Sequence, residues 1–367
     1  MRILRWCYAH RRILIADLVC LLLCLALTVA LHVRTGQAYS QQEGKRWAAD
    51  QKPYHQVSAF WPAFSGIAKE KISEIRAGLQ RSLLDASFSD TDTGGKLWTD
   101  AYMAATTDDV SRTTLQGLRG KEDVMIMGVG GDFFLFHSFH LISGSYFHES
   151  DLMQDRVLLD RDTAWAVFGG YEIEGQRIYV GGMPYIVAGV YEKPSGKFAE
   201  KAIGGKSILF MSYASFHKQY EGAPIVSYEA VLPNPVSGFA LNKLQDAVDQ
   251  ENTNAVLVDN EDRFTAGKLL ARFADIPSLL MQKSAVVFPF WENEMRALEW
   301  HVFCLFLLRL LLFMPPLVSA IFGIVTFIRR IGANLWIDFW KAQKEKLRRR
   351  LYERPVKKRV GIEEEEF

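Results

Sequence analysis

Three groups of residues in this 367-residue chain have types and spacings that could do chemistry. Gly204-Gly205-Lys206-Ser207 ends like a phosphate-binding loop, in which glycine amides cradle phosphates and a lysine reaches the outer ones. The full pattern G-x-x-x-x-G-K-[ST] needs its first glycine at position 200, where Glu200 stands, so the stretch reads as a loop before a strand at Ile208. His137, His140 and His148, with Glu149 and Asp151 nearby, offer donors that suit zinc or copper, and His137 and His140 are spaced to share one helix face. Phe133, Phe134, Leu135, Phe136 and Phe139 surround them, so the segment reads as amphipathic packing rather than a metal centre. Asp17 and Arg309 stand inside the most apolar stretches, where ionisable groups are costly and invite a functional reading. No His-Glu-x-x-His pattern and no Gly-x-Ser-x-Gly elbow occurs. The sequence therefore assigns no catalytic residue, no cofactor and no metal ligand, and the expectation is a protein that is not an enzyme.

The elements around these residues define a membrane protein. Ile13–Val33 and Val302–Ile328 are each long enough to cross a hydrocarbon core about 30 Å thick. Arg2, Arg5, Arg11 and Arg12 precede the first span, and Arg329 and Arg330 open a basic tail after the second. Positive flanks stay in the cytoplasm, which puts both termini inside and residues 34–301 outside the cell membrane. The charge count agrees. The chain carries 43 Lys+Arg and 42 Asp+Glu, yet Arg34–His301 alone holds 26 basic and 34 acidic residues. That acidic exterior gives no basis for nucleic-acid binding. The rival is a cleaved signal peptide, with small residues at Gly36-Gln37-Ala38, but the apolar run exceeds the usual 7–15 residues of such a segment. Cys7, Cys20, Cys24 and Cys304 all lie in or beside the spans, so the outer domain has no disulfide framework. Cys7 reads as an interfacial cysteine, with acylation as the alternative.

At about 1.5 Å per residue, Asp17 sits roughly 6 Å from the inner face and Arg309 roughly 10 Å from the outer one, too far apart in depth to pair. Arg12 neutralising Asp17 and an outward-snorkelling Arg309 account for them, with an interhelical contact in a dimer as the alternative. Pro315-Pro316 is expected to bend the second span.

Within the outer domain, residues 34–53 are polar and read as a stalk. A helix follows with Ser65 as N-cap and Ile72, Ile75, Leu79 and Leu83 on its buried stripe. Asp90–Gly95 is a loop, and strand patterns run over Leu97–Met103 and Asp123–Val129. A second strand–helix–strand unit comprises Tyr228–Leu232, an Asn234-Pro235 turn, a stripe of Leu241, Leu244 and Val248, and Ala255–Val258. Phe264–Phe273 is expected to be helical, and Trp291–Trp300 to run straight into the second span. Between the two units lies a β-rich insertion, about residues 130–216. It carries a strand at Val157–Leu159, a short helix ending at Phe168-Gly169, and a hairpin of Arg177–Val180 and Tyr185–Val190 joined by Gly181-Gly182-Met183-Pro184. The expected fold is an α+β extracytoplasmic domain of two lobes, paired βαβ-like units with a β-rich insertion, held by two transmembrane helices.

The insertion resembles the extracytoplasmic core domain of MacB/FtsX-type ABC transporter permeases. The motif Gly-x-x-Phe-x-x-x-Asp appears as Gly144, Phe147 and Asp151. A valine-rich strand and an Ala-x-x-x-Phe-Gly helix end follow, as Ala164, Phe168 and Gly169. The next run matches at Gly175, Ile178, Val180, Gly182, Tyr185, Val187, Gly189 and Val190, and Ile208–Met211 resembles the strand after it. In the family these are turn and packing positions, not catalytic ones.

The resemblance implies a non-catalytic permease-like subunit that couples cytoplasmic ATP hydrolysis to movement of an outer domain, for efflux, release or mechanotransmission. Family permeases usually have four spans, and the MacB type carries a fused ATPase. This chain offers two spans and no ATPase, so a separate ABC ATPase and a second permease-like subunit, identical or different, are the expected partners. The tail from residue 329 has two readings. Leu335, Trp336, Phe339 and Trp340 among basic residues can lie on anionic membrane lipid, or can dock on the ATPase. Glu363–Glu366 reads as a disordered tail. The alternative function is a stand-alone anchored binding or sensing module.

Overall fold

Two interleaved strand–helix–strand units form the centre of the outer domain in the computed structural model. The model describes residues 11–36, 38, 41–47, 53–62, 65–88, 96–105, 112–249, 253–271, 286 and 288–352. Arg2, Arg5, Cys7, Gln37, the expected loop at Asp90–Gly95, the end of the Phe264–Phe273 segment and Glu363–Glu366 lie outside the described residues. Helix is assigned to residues 266–271 of that segment.

The first unit runs β1 (Tyr54–Phe60), α3 (Lys69–Asp85), β2 (Thr99–Ala104); the second runs β10 (Ile225–Pro233), α8 (Phe239–Val248), β11 (Val256–Asp259). The antiparallel strands interleave as β11-β1-β10-β2, so each unit's strands flank one strand of the other. This is the split βαβ arrangement. α3 forms where the 3.6-residue spacing of Ile72, Ile75, Leu79 and Leu83 makes one apolar stripe, and all four are buried. α8 buries Ala240, Leu244 and Val248 in the same core. The expected N-cap, Ser65, lies upstream of the helix. α3 starts at Lys69 behind an extended Ala68 with no side-chain cap, because Ser65 is held in a turn by its own amide on the Pro62 carbonyl.

β4 (Lys121–Gly131) carries the sheet from this centre into a second lobe. Its last four residues pair with β2, its first five with β3 (Arg112–Gln116), and Met125–Val129 with β9 (Ile208–Ser212) on the opposite edge. The sheet continues from β3 through β7 (Arg177–Val180), β8 (Met183–Glu192) and β6 (Arg156–Asp160) to β9, which returns to β4. Those six strands close a small barrel. Closure removes the open edges that a flat sheet would expose. Inside it stand Leu115, Ile126, Val157, Leu159, Ile178, Val180, Val187, Leu209 and Met211, all buried. β5 (His140–Gly144) pairs β8, and α4 (Phe133–Phe136), α5 (Arg161–Phe168), α6 (Lys197–Ile203) and α7 (Tyr213–Gln219) fill the connections. The hairpin turn is tighter than expected. It consists of Gly181 and Gly182 alone, at φ +57° and +84°, and β8 already begins at Met183.

The expected stalk is not free-standing. α2 (Glu43–Trp47) lies against β1, Gln41, Gln42 and Glu43 are buried, and the Glu43 amide donates to Gln56 Oε1 at 2.9 Å. Within residues 41–47, Gln41 meets His137 and Gln42 accepts from Lys45, so these polar side chains serve contacts inside the protein.

Among the described residues, those from 29 to 306 form one compact unit, and a second comprises those from 11 to 28 and from 307 to 352. The second holds most of α1 (Arg11–Gly36) and the part of α9 (Phe290–Tyr352) from Leu307 on, and both helices are long and apolar enough to cross a membrane. Cys24 Sγ donates to the Arg309 carbonyl at 3.6 Å. Asp17, Cys20 and Cys24 are the less exposed face of α1, and Arg309, Leu312, Pro316, Ser319 and Gly323 that of α9, both at three-to-four-residue spacing. Asp17 lies seven residues from Cys24, roughly 10 Å along the axis, so it does not meet Arg309, as the depth argument expected. α9 contains Pro315 and Pro316 without an assigned break.

Candidate functional site

The first turns of α9 sit in the core of the outer domain. Phe290, Trp291, Met295, Leu298, Val302 and Phe303 are all buried. Sequence reading began the second span at Val302, but the exposed large apolar residues of α9 begin at Leu308. Phe290 and Trp291 pack with Phe133, Phe134, Phe136 and Phe147 on the sheet face opposite α3 and α8, with Phe133 and Trp291 ring centres 5.5 Å apart.

A buried polar chain runs through this junction. His137 follows α4, and its ring stands 4.2 Å from the Trp291 ring. Its Nε2 contacts Glu229 Oε2 of β10, and its Nδ1 lies 3.3 Å from Gln41 Nε2. The Ser58 hydroxyl donates to Glu229 Oε1 at 3.1 Å, and Asn260 Nδ2 donates to Ser58 Oγ at 3.0 Å. Three residues on, Arg263 Nη2 donates to Glu292 Oε1 of α9 at 2.5 Å, and its Nε lies 3.4 Å from Glu299 Oε2. Arg296 Nε shares Glu292 Oε1 at 2.8 Å. Burial works against the Arg263 charge, but Glu292 and Glu299 outweigh it and hold the guanidinium protonated. Arg263 Nη1 and Trp291 Nε1 are buried with no hydrogen-bond partner among the described residues. A network of this kind ties α9 to β1, β10, the turn after β11 and the Gln41 segment at once. Its chemistry is charge pairing, which positions an element.

A cleft of about 500 Å³ opens elsewhere in the same unit, lined by Arg76, Lys96, Trp98, Asp100, Asp132 and Glu149 among others. Its charges are matched internally. Arg76 grips Asp100 through two bonds of 2.6 and 2.9 Å and reaches Glu149 at 3.1 Å. Tyr102, the Gly131 amide and Lys69 also hold Glu149, at 2.6, 2.8 and 3.1 Å. Burial would raise this carboxyl, but Tyr102, Arg76, Gly131 and Lys69 together bring it down to about 2.

The three histidines of the sequence reading do not share a helix face. α4 ends before His137, His140 opens β5 with Nδ1 3.6 Å from Glu192, and the His148 amide is held by Asp151 Oδ2 at 3.0 Å. A run of four phenylalanine and leucine residues makes only one helical turn here because β4 and β5 claim the chain on either side. Gly204 and Gly205 end α6, and strand β9 follows, so the phosphate-loop order of loop then helix is not formed.

The motif residues occupy turns and packing positions. Gly144 faces Gly189 across the β5–β8 pair, Gly175 donates its amide to the Val187 carbonyl at 2.9 Å, and Val187 is buried in the barrel. Phe147 packs edge-on to Phe134 at 5.1 Å, and Asp151 caps its own turn. Gly169 ends α5 in the left-handed region at φ +76°, directly after the half-buried Phe168. Leu335, Trp336, Phe339 and Trp340 are exposed on α9. Sequence reasoning missed Arg263, Glu229 and the role of His137. The one local signal was Glu292, Arg296 and Glu299, charges at helical spacing just before an apolar span.

Residues 69–259, just over half the chain, match the model of the MacB-like periplasmic core domain. The chain belongs to this family. Among solved structures it is similar to the periplasmic region of MacB from Actinobacillus actinomycetemcomitans, at 13% identity and TM-score 0.38, over 56% of this chain and 89% of that one. It is also similar to the extracellular domain of the noncanonic ABC-type transporter YknZ from Gram-positive bacteria, at 13% identity and TM-score 0.35, over 56% and 98%. No curated protein matches the chain. The sequence match carries the family assignment. The MacB-like domain here is a mixed α/β body between two apolar helices, of a kind found in ABC permeases and generally non-catalytic.

Proposed function

We propose that this MacB-like chain is a non-catalytic, permease-like membrane subunit that couples ATP hydrolysis on a separate chain to movement of its extracytoplasmic domain. One observation carries the reading. α9 begins in the core of the outer unit, clamped by Arg263 on Glu292, and the same helix supplies the second apolar segment. A helix with such an anchorage transmits displacement without any chemistry of its own. The outer end of the second span then falls near Leu307, where the buried residues of α9 give way to exposed apolar ones. Both termini are cytoplasmic, and Trp336, Phe339 and Trp340 form the contact surface for the ATPase.

Isolation of the full-length protein from membranes tests this directly. An ABC ATPase is expected to co-purify, together with a second permease-like subunit, and Trp336→Ala with Trp340→Ala is expected to release the ATPase. Recovery without an ATPase would overturn the reading. It would leave the anchored binding module, which the 500 Å³ cleft favours.

A further inference from the structure

We propose that His55, Asp259 and Glu261 form a binding site for a transition-metal dication of the zinc class in the outer domain. The three side chains meet at one end of the sheet, where β1 and β11 pair side by side. His55 is the second residue of β1, Asp259 the last of β11, and Glu261 sits in the turn that follows. One donor atom from each lies within 4.8 Å of the other two. His55 Nδ1 stands 2.9 Å from both Asp259 oxygens. That is direct hydrogen-bond contact, so an ion entering the site would take the place of the ring proton on Nδ1. Glu261 uses Oε2 to accept the Gln56 amide at 2.6 Å, which leaves Oε1 buried with no hydrogen-bond partner among the described residues. Gly44 makes room for that oxygen, since a Cβ there would stand 2.6 Å from it.

The donor set selects the ion. One imidazole and two carboxylates suit zinc or its first-row neighbours, while calcium and magnesium prefer oxygen alone. Three protein ligands leave a fourth position for water. Asp262, next in the turn, adds negative charge to the surroundings. The position matters because Arg263 is two residues from Glu261. An ion joining β1 to this turn would stiffen the segment that presents Arg263 to Glu292 of α9.

The test uses the full-length protein in detergent, stripped with a chelator and titrated with zinc alone. About one zinc per chain is expected, with roughly tenfold or greater loss of affinity in Glu261→Gln. Because glutamine keeps the shape and the Gln56 contact, the unfolding midpoint of the metal-free variant should stay at the wild-type value. His55→Ala is expected to abolish binding. Cobalt supplies a second measurement on the unmutated chain: visible bands without a thiolate charge-transfer band are expected. Absence of stoichiometric zinc, unchanged affinity in both variants, or a thiolate band from the cysteines would each overturn the proposal.

Discussion

Arg263 and Glu292 meet at 2.5 Å with both side chains buried, the one in the turn after β11 and the other in the first turns of α9. Taking one partner away leaves the other charged and unsolvated. Arg263→Met is therefore expected to destabilise the outer domain by about 3–5 kcal/mol, read by denaturant unfolding of the full-length protein. Arg263→Met combined with Glu292→Gln should recover part of that loss, since one unpaired anion is removed. If the single variant unfolds like the wild type, the pair does not anchor α9.

Gly144 and Gly175 share a left-handed φ, at +77° and +76°, but not their surroundings. A Cβ at Gly144 would stand 2.2 Å from the Ala188 carbonyl, whereas one at Gly175 meets open space. Gly175→Ala should cost about 1 kcal/mol from backbone conformation alone. Gly144→Ala adds a clash against the β5–β8 pair and should cost about 3 kcal/mol or more. Thermal unfolding of the two variants compares them directly, and equal losses would contradict the close approach.

Glu149 gives a pH prediction with a definite sign. Its carboxyl is lowered from 4.5 to about 2 in the folded chain, so its stabilisation is complete above pH 4.5 and fades as pH falls through about 2. Glu149→Gln should cost about 1–2 kcal/mol at neutral pH, discounted for the partial exposure of the site. The variant should also show a flatter loss of stability on acidification between pH 4.5 and 2 than the wild type. Parallel curves would mean that Arg76 and Lys69 do not hold this carboxylate.

Cys24 and Cys304 should differ as thiols. Cys24 is buried against the Arg309 backbone, and Cys304 is exposed. In single-cysteine variants, a membrane-permeant alkylating reagent should modify position 304 several-fold faster than position 24, since the exposed thiol is open to the reagent and the buried one is covered. Equal rates would contradict the contact between α1 and α9.

Local periodicity carried most of the element list. The stripe at Ile72, Ile75, Leu79 and Leu83, the pairing of Arg177–Val180 with Tyr185–Val190 and the two long apolar runs are each legible because their signal is local along the chain. The Ser65 cap and the His137–His140 face failed for the opposite reason. A turn closed by Pro62 and strands on either side of α4 overrode the local preference.

By itself the sequence determined the helix and strand periods, the two apolar segments, the acidic stretch between them and the resemblance to the MacB-like core domain. Only the tertiary structure decided that the two strand–helix–strand units interleave in one sheet and that β4 closes a barrel through β9. It alone brought His137 to Glu229, and Arg263 to Glu292. Hydrophobicity is a property of a residue, whereas burial depends on what covers it, so Val302 and Leu308 look alike in the chain although one lies in a protein core and the other is exposed. Pairings between residues tens of positions apart are set by how the strands are ordered, and no spacing along the chain records that order.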